Sequence, residues 1–361
     1  MVCVGAATLA LAIVAVAVAL DFRAPRSYPV GGSPYPVAVA DFNRDGRRDV
    51  VVGNEDDDDV SVLLGKRRGK FGDARDFPAG DYPFGVAVAD FDRDGRRDLV
   101  VVDKSGPAVS ILFGKRHGLF GGPHGHPVAD DPYFVAVGRF NGDRRKDLAV
   151  AGNGNGEISV LLGKRGGDFT PAKNYNAGDH ASSVAVADVN RDGERDLVAA
   201  DYNDDIEVLI GKGNGAFKSA VEFPSGTSSG EGMVVGRFNR DRDPDVAITD
   251  CQLDKVFVSL GKPGTDFRSP EPYDGGSCAY QPAGADVNRD GNLDLLVPNY
   301  TMSTIDILRG RGDGTFKPVR RFPATDTDNY SVAVGRFNGD RRPDLAIPDY
   351  SDADLSILLG R

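Results

Sequence analysis

The chain has 361 residues, a formal net charge of -11, 46 Gly, 22 Pro and no Trp. This length allows one or two domains, and the apolar content suffices for a packed core. The acidic residues are spread along the chain, which argues against nucleic acid as a partner because such proteins need a basic patch. The balance instead suggests that the chain binds cations.

An uncharged apolar segment opens the sequence. Residues 1–20 carry no charged side chain, and the first charge is Asp21. Small residues at Ala15, Ala17 and Ala19 offer A-x-A cleavage sites. We therefore predict a signal peptide, with an uncleaved membrane anchor as the alternative. Either one places the rest of the chain outside the cell, secreted or at the cell surface, and only the anchor would attach it to a membrane.

A repeat of about 49 residues fills the rest of the chain. The segment VAVADFNRDGRRDVVVGN, from Val37, returns as VAVADFDRDGRRDLVVVD from Val86 and in five further copies. The first loop position of each copy lies 49 residues after the previous one, and the last interval is 50. Only a repeat array produces this spacing. These first positions are Asp41, Asp90, Arg139, Asp188, Arg237, Asp286 and Arg336.

Each unit contains four β-type runs. In the second unit they are Val86 to Ala89, Leu99 to Val102, Val109 to Phe113, and a short run at His124 to Pro127. Four short strands at this period are typical of propeller blades. We therefore predict an all-β fold over residues 21–361, a seven-bladed β-propeller with four-stranded blades.

The two ends of the sequence complement each other. The last unit stops after its third strand, at Ile357 to Arg361. The piece that follows this point in other units resembles the N-terminal segment, because Phe22 to Gly32 matches Phe71 to Gly80. We expect the N-terminal strand to complete the last blade, which would leave no long exposed sheet edge.

Four copies carry a complete acidic loop of the form D-x-[ND]-x-D-G-x-x-D. Oxygen ligands at positions one, three and five, a turn glycine at six, a carbonyl at seven and an acid at nine suit Ca²⁺, which takes six to eight oxygens. The loop is not an EF-hand, because its last acid comes at position nine and strands flank it. Mg²⁺ would need a tighter octahedral cage. Ordinary metal-free Asx turns are the alternative.

The complete loops therefore predict about four structural calcium ions. The predicted ligands, with the residue at position seven acting through its carbonyl, are Asp41, Asn43, Asp45, Arg47 and Asp49; Asp90, Asp92, Asp94, Arg96 and Asp98; Asp188, Asn190, Asp192, Glu194 and Asp196; and Asp286, Asn288, Asp290, Asn292 and Asp294.

Three variant loops have Arg at position one and again at position six. One hypothesis is that a guanidinium takes over the role of the cation and pairs with the loop aspartates. The alternative is that the Arg points to solvent. The arginines are Arg139, Arg144, Arg237, Arg242, Arg336 and Arg341, and the aspartates are Asp143, Asp147, Asp241, Asp245, Asp340 and Asp344.

The loops DFNRDGRRD and DFDRDGRRD, the FG pairs at Phe71 and Phe120, and PAG at Pro78 to Gly80 resemble the FG-GAP (VCBS-type) repeats of the integrin α-subunit propeller and of many secreted microbial proteins. The resemblance covers residues 22–361. It implies a seven-bladed propeller with calcium in the lower loops and a ligand surface on the opposite face. Such proteins include adhesion receptors, lectins and accessory modules of exported enzymes. The Arg-bearing loops depart from the calcium pattern.

An interrupted series of aromatic residues lies six positions before the loop starts, on the face opposite the loops. Such a series could stack sugars or receive a basic peptide, whereas packing between blades is the alternative. Ser182 and Glu231 interrupt it. The aromatic residues are Tyr35, Phe84, Tyr133, Tyr280 and Tyr330.

The sequence contains no HExxH or P-loop motif, so we predict a non-catalytic protein. We expect a monomeric binding or adhesion module for an extracellular protein or glycan. The alternatives are a lectin-like propeller and an accessory domain of an exported enzyme system. Cys251 and Cys278 fall on the same face, and we predict a disulfide between them, which an exported location permits.

Overall fold

The computed structural model describes residues 21–276, 280–325 and 328–361. These residues form seven four-stranded antiparallel sheets, and the inner strands of neighbouring sheets contact one another around a ring. The predicted all-β, seven-bladed propeller is confirmed.

The strands are numbered in chain order and each blade is given from its inner to its outer strand. Blades 1 to 3 are β2 (Pro34–Ala40), β3 (Asp49–Asn54), β4 (Asp59–Leu63) and β7 (Arg75–Pro78); β8 (Pro83–Ala89), β9 (Asp98–Asp103), β10 (Ala108–Leu112) and β11 (His124–Pro127); and β12 (Pro132–Gly138), β13 (Asp147–Gly152), β14 (Glu157–Leu161) and β15 (Lys173–Asn176). Blades 4 and 5 are β16 (Ala181–Ala187), β17 (Asp196–Asp201), β18 (Asp205–Leu209) and β19 (Val221–Pro224); and β20 (Gly230–Gly236), β21 (Asp245–Asp250), β22 (Lys255–Ser259) and β25 (Glu271–Asp274). Blades 6 and 7 are β26 (Ala283–Ala285), β27 (Asp294–Asn299), β28 (Thr304–Leu308) and β29 (Arg320–Pro323); and β30 (Ala333–Gly335), β31 (Asp344–Asp349), β32 (Asp354–Leu358) and β1 (Arg26–Pro29).

Short elements fill some of the turns between the third and outer strands. Two small hairpins are β5 (Gly65–Lys66) with β6 (Lys70–Phe71), and β23 (Gly261–Lys262) with β24 (Asp266–Phe267). Single 3₁₀ turns also lie there at Arg116–Gly118 and Arg165–Gly167. A third 3₁₀ turn, Tyr300–Met302, lies between the second and third strands of blade 6.

The second strand of every blade is buried along its whole length, as in β3, which reads DVVVGN. A strand covered on both faces needs a near-continuous apolar run, and the β-branched valines suit it. The covering comes from the two neighbouring blades. Apolar clusters lie between adjacent blades around the whole ring, for example Val51 and Val60 of blade 1 against Leu99 and Val101 of blade 2.

Paired phenylalanines explain the FG motif. The ring of Phe42, at position two of the first loop, meets the ring of Phe120, the FG phenylalanine of the next blade, edge-on at 5.5 Å. The same pairing joins Phe337 of blade 7 to Phe71, the FG phenylalanine of blade 1, at 5.2 Å. Each FG phenylalanine therefore fills the interface with the preceding blade and helps to fix the spacing of the ring.

The seventh blade combines both ends of the described chain. β1 pairs antiparallel with β32, with Tyr28 opposite Leu355. An apolar cluster that includes Val37 and Leu63 of blade 1 and Ile357 of blade 7 joins the last blade to the first. Among the residues that the structure describes, no helix is long and apolar enough to cross a membrane. The predicted signal peptide, residues 1–20, lies outside them.

Candidate metal loops and the aromatic cluster

The acidic loop of blade 2 follows its inner strand and wraps its backbone around its own carboxylates. The N–H of Gly95 donates to Oδ2 of Asp90 at 3.0 Å, and the N–H of Asp94 donates to Oδ1 of Asp92 at 3.0 Å. Gly95 has a φ of +85°, a conformation that favours glycine. This explains why the complete loops place glycine at position six.

Three carboxylates converge in this loop. Oxygens of Asp90, Asp92 and Asp98 all lie within 4.8 Å of one another. Oδ1 of Asp90 is buried and has no hydrogen-bond partner, and the same holds for Oδ1 of Asp188 in blade 4. Burial raises the pKa of Asp92, and the nearby Asp94 and Asp90 carboxylates raise it further. An unpaired buried carboxylate oxygen is costly, and a bound cation would satisfy it. The all-oxygen donor set fits calcium.

The other complete loops share this turn. Position one accepts the N–H of the glycine at 2.9 Å in blade 1, 3.2 Å in blade 4 and 2.9 Å in blade 6. In each of these loops the asparagine at position three also accepts the N–H of position five. The predicted ligands at positions one, three and five are thus brought together on the same scaffold four times.

The aspartate at position nine has a second role that the sequence analysis did not assign. In blade 1, Oδ2 of Asp49 accepts the N–H of Phe42 at 2.8 Å, and Oδ1 accepts the N–H of Gly65 at 2.7 Å. Burial raises the pKa of Asp49 to about 6, against the lowering effect of these hydrogen bonds. The same pair of bonds recurs in all seven blades, at Asp49, Asp98, Asp147, Asp196, Asp245, Asp294 and Asp344.

This aspartate hub joins the acidic loop to the turn after the third strand. Because it also forms in the Arg-bearing blades, its presence does not depend on a complete metal loop. Its repetition in seven copies, including those with Arg at position one, was the sequence signal for a structural role.

The hypothesis that a guanidinium replaces the cation is wrong, because the predicted ion pairs between the loop arginines and the loop aspartates do not form among the described residues. Arg139, Arg237 and Arg336 are exposed, and none forms an ion pair with a loop aspartate in the part of the chain that the structure describes. The same holds for Arg144, Arg242 and Arg341 at position six. These arginines point to solvent, which was the alternative interpretation. A guanidinium group is better solvated in water than beside a loop that has lost its first carboxylate.

The arginine at position seven makes the pairing instead. In blade 3, Arg145 lies 3.2 Å from Oδ2 of Asp143 and donates through Nε to the carbonyl of Gly163 at 2.9 Å. Arg47 and Arg96 make the corresponding contacts in blades 1 and 2. The sequence analysis predicted only the backbone carbonyl of position seven as a ligand. The structure shows that the side chain of this arginine also joins the aspartate at position five to the turn after the third strand.

All five aromatic residues predicted for the opposite face come together in one cluster. The ring of Tyr35 stacks on Phe84 at 4.4 Å, Phe84 meets Tyr133 at 4.6 Å, and Tyr280 meets Tyr330 at 5.5 Å. Tyr35 is only 3% exposed and Phe84 only 7%. The cluster therefore packs the inner ends of the blades as well as presenting Tyr133, Tyr280 and Tyr330, which are half-buried.

Charged side chains join this aromatic cluster. The Lys104 ammonium lies 4.0 Å from the ring centre of Phe84 and 4.3 Å from that of Tyr133, and it donates to the Tyr133 hydroxyl at 3.2 Å. Glu55 accepts the hydroxyl hydrogen of Tyr350 at 3.0 Å. Burial raises the pKa of Glu55 to about 7 and that of Glu231 to about 8.

A small cavity of about 130 Å³ opens among these groups. The sequence analysis missed four of its residues. Glu55, Lys104 and Tyr350 share the repeat position that follows the second strand, but they differ in chemical type, so no common residue type marks the position. Tyr82 precedes an inner strand. The cavity is lined by Tyr35, Glu55, Tyr82, Phe84, Lys104, Tyr133, Tyr280, Tyr330 and Tyr350.

Cys251 lies between the second and third strands of blade 5 and is disulfide-bonded. Its predicted partner, Cys278, lies outside the described residues, so the pairing stays a prediction.

Comparison with known proteins places the fold among repeat propellers. Residues 41–101, 139–199, 188–248, 237–297 and 286–347 match the model of the FG-GAP-like repeat. No curated protein sequence matches the chain.

Solved structures share the fold at low sequence identity. BBS1N, crystallised in complex with ARL6DN, is 16% identical, with a TM-score of 0.62, covering 94% of this chain and 96% of that one. An Agrocybe aegerita lectin that recognises non-reducing terminal N-acetylglucosamine is 16% identical, with a TM-score of 0.55 and coverage of 84% and 82%. A functionally unknown protein from Desulfotomaculum acetoxidans is 11% identical, with a TM-score of 0.61 and coverage of 85% and 90%.

Proposed function

This chain belongs to the FG-GAP-like repeat family, and on that premise we propose that it is an exported, calcium-loaded propeller that binds an extracellular protein or glycan and has no catalytic role. The observation that carries the binding role is the cavity among Tyr133, Tyr330 and Lys104, on the face opposite the acidic loops. It combines aromatic faces with a few polar groups, which is the usual composition of a recognition site.

Calcium has a structural role in this proposal. The four complete loops would hold one ion each, through the carboxylates and amide oxygens at positions one, three and five and the acid at position nine. When bound, the ion would neutralise carboxylates that otherwise repel one another. In blade 2 it would also satisfy Oδ1 of Asp90, which is buried without a partner. The loop would then hold the inner strand against the second strand.

Both charged side chains that line the cavity are held by aromatic neighbours, which supports binding rather than catalysis. Lys104 is held over two rings, and Glu55 is bonded to Tyr350. Among proteins of the same fold, one was crystallised with another protein and another recognises a terminal sugar. A protein and a glycan are therefore both candidate ligands. The protein ligand is the first candidate, and a lectin-like role is the second.

A glycan array and a panel of purified extracellular proteins, both probed with the calcium-loaded chain, would test the proposal. Lys104→Gln should abolish whatever binding the wild type shows, because Lys104 lines the cavity. Lys173→Gln is the matched control. Its ammonium also lies over a ring, 5.0 Å from the centre of Tyr175, but on the outer strand of blade 3.

The control should bind like the wild type. Equal binding by all three proteins would contradict the assignment of this face, and the class of the hits would decide between a protein and a glycan ligand.

A further inference from the structure

A cavity of about 600 Å³ lies on the acidic-loop face where blades 6, 7 and 1 meet. Its wall includes three arginines from three different blades: Arg289 of blade 6, Arg336 of blade 7 and Arg48 of blade 1. These side chains concentrate positive charge in a chain whose formal net charge is -11.

The three guanidinium groups are left without protein counter-charges. All three side chains are exposed, and within the described ranges none lies within ion-pair distance of a carboxylate. Some other loop arginines are paired. Arg47 and Arg191, for example, each contact an aspartate of their own or the next loop.

The one carboxylate in the wall is already engaged. Oδ1 of Asp286 accepts the N–H of Asp290 at 3.0 Å, and Oδ2 accepts the N–H of Gly291 at 2.9 Å. Asp286 is also a predicted calcium ligand. The wall therefore presents a net positive charge to the cavity.

Arg336 stands where four other blades have the first aspartate of the loop, and it makes none of the predicted pairs with Asp340 or Asp344. A role towards the cavity accounts for it. Arginine presents several N–H donors in a fixed fork, which suits an oxyanion. Gly291 also lines the cavity, and the space that a side chain at this position would enter is open.

We propose that this cavity binds a tetrahedral oxyanion, a sulfate or phosphate group, between Arg48, Arg289 and Arg336. The site lies on the opposite face from the aromatic cluster and does not depend on the function proposed above. The group could be a free ion or an ester on a larger molecule, and the recognition chemistry is the same.

Isothermal titration calorimetry with sodium sulfate at low ionic strength tests this proposal, because screening by salt weakens such contacts. Sulfate is the probe of choice because it can be used beside millimolar calcium. The wild type should bind it, and Arg336→Gln and Arg48→Gln should each weaken binding by about tenfold or more, as expected for the loss of a charge-assisted hydrogen-bond partner. The matched control is Arg237→Gln, an exposed arginine at the same loop position of blade 5 that does not line the cavity.

Arg237→Gln should leave sulfate affinity within about twofold of the wild type, a difference of less than half a kilocalorie per mole. Equal weakening by all three variants would mean that only the overall charge attracts the anion, and it would overturn the site. Glucose 6-sulfate, with glucose as its control, separates the two sources: tighter binding than free sulfate supports an ester and weaker binding supports the free ion. Absence of binding by both sulfate probes would also overturn the proposal. The melting temperature of each variant, expected to be unchanged for these exposed positions, checks the fold.

Discussion

The backbone N–H of Gly163 donates to Oδ1 of Asp147 at 2.8 Å, although the loop that contains this aspartate begins with Arg139 instead of a metal ligand. The other oxygen of Asp147 accepts the N–H of Phe140 at 2.7 Å. The aspartate hub is therefore a feature of the blade itself, and the metal loop is built on top of it.

Removing the hub of blade 3 should destabilise the protein independently of calcium. Asp147→Ala leaves two buried backbone N–H groups without partners, and we expect a loss of about 3 kcal/mol in the free energy of unfolding. Asp98→Ala removes the same two bonds in a complete loop. Urea denaturation with chelator should give similar losses for both variants. In calcium, the loss in the free energy of unfolding should become larger for Asp98→Ala and stay the same for Asp147→Ala. A loss that depends on calcium for Asp147→Ala would contradict this division of roles.

The aromatic cluster should make stability depend on pH. Burial raises the pKa of Glu231 from its ordinary 4.5 to about 8. Between these values the unfolded chain releases the proton that the folded chain keeps, so this group makes stability fall as the pH rises from about 4.5 to 8. Glu231→Gln removes that dependence and should be more stable, relative to the wild type, at pH 8 than at pH 5. Urea denaturation at both pH values measures the difference.

Glu271→Gln, at an exposed position on the outer strand of blade 5, is the control for this measurement. It should show the pH dependence of the wild type. A Glu231→Gln variant with the same pH dependence as the wild type would show that Glu231 is ionised normally in the folded protein.

Cys251 should be linked to Cys278. The bond would close a loop of about 28 residues and stabilise the fold by roughly 3 kcal/mol in the chain-entropy model. Peptide mapping of the mature, unreduced protein should recover both cysteines in one linked pair, and thiol labelling after denaturation should find no free cysteine. Two free thiols, or a link from Cys251 to any other cysteine, would contradict the prediction.

Much of the fold could be predicted because the 49-residue spacing repeats both the strands and their apolar faces. The strand at His124–Pro127 is an example, since its position follows from the unit even though its own sequence is a weak strand signal. The five aromatic residues could be grouped for the same reason. Equivalent positions of a closed ring converge near its axis.

The parts that could not be predicted depend on contacts between different positions of the repeat. Lys104 follows a second strand, and its approach to Phe84 and Tyr133 is set by how blades 2 and 3 pack together. The orientation of Arg139 likewise depends on whether water or a loop carboxylate solvates its guanidinium better, and the sequence does not show which of the two prevails. The assembly of Arg48, Arg289 and Arg336 arises only when the first and last blades meet.

Converting an Arg-bearing loop should create a metal site. Arg139→Asp together with Arg144→Gly restores the first ligand and the turn glycine of blade 3, where Asn141, Asp143 and Asp147 are already in place. Calcium titration should show one additional equivalent. Arg144→Gly alone restores the turn without the ligand and should add none. A double variant with the wild-type stoichiometry would show that further features of the loop exclude the ion.

The number of calcium ions bound per chain tests the central claim most directly. Native mass spectrometry of the dialysed protein should find four, and Asp94→Ala should reduce the count to three because position five of blade 2 is lost. Asp143→Ala is the control, since Asp143 makes the same contacts with its position-seven arginine in an Arg-bearing loop. It should leave the count at four, and chelation should lower the melting temperature of all three proteins. Seven ions would contradict the distinction between complete and Arg-bearing loops, and none would contradict the calcium assignment itself.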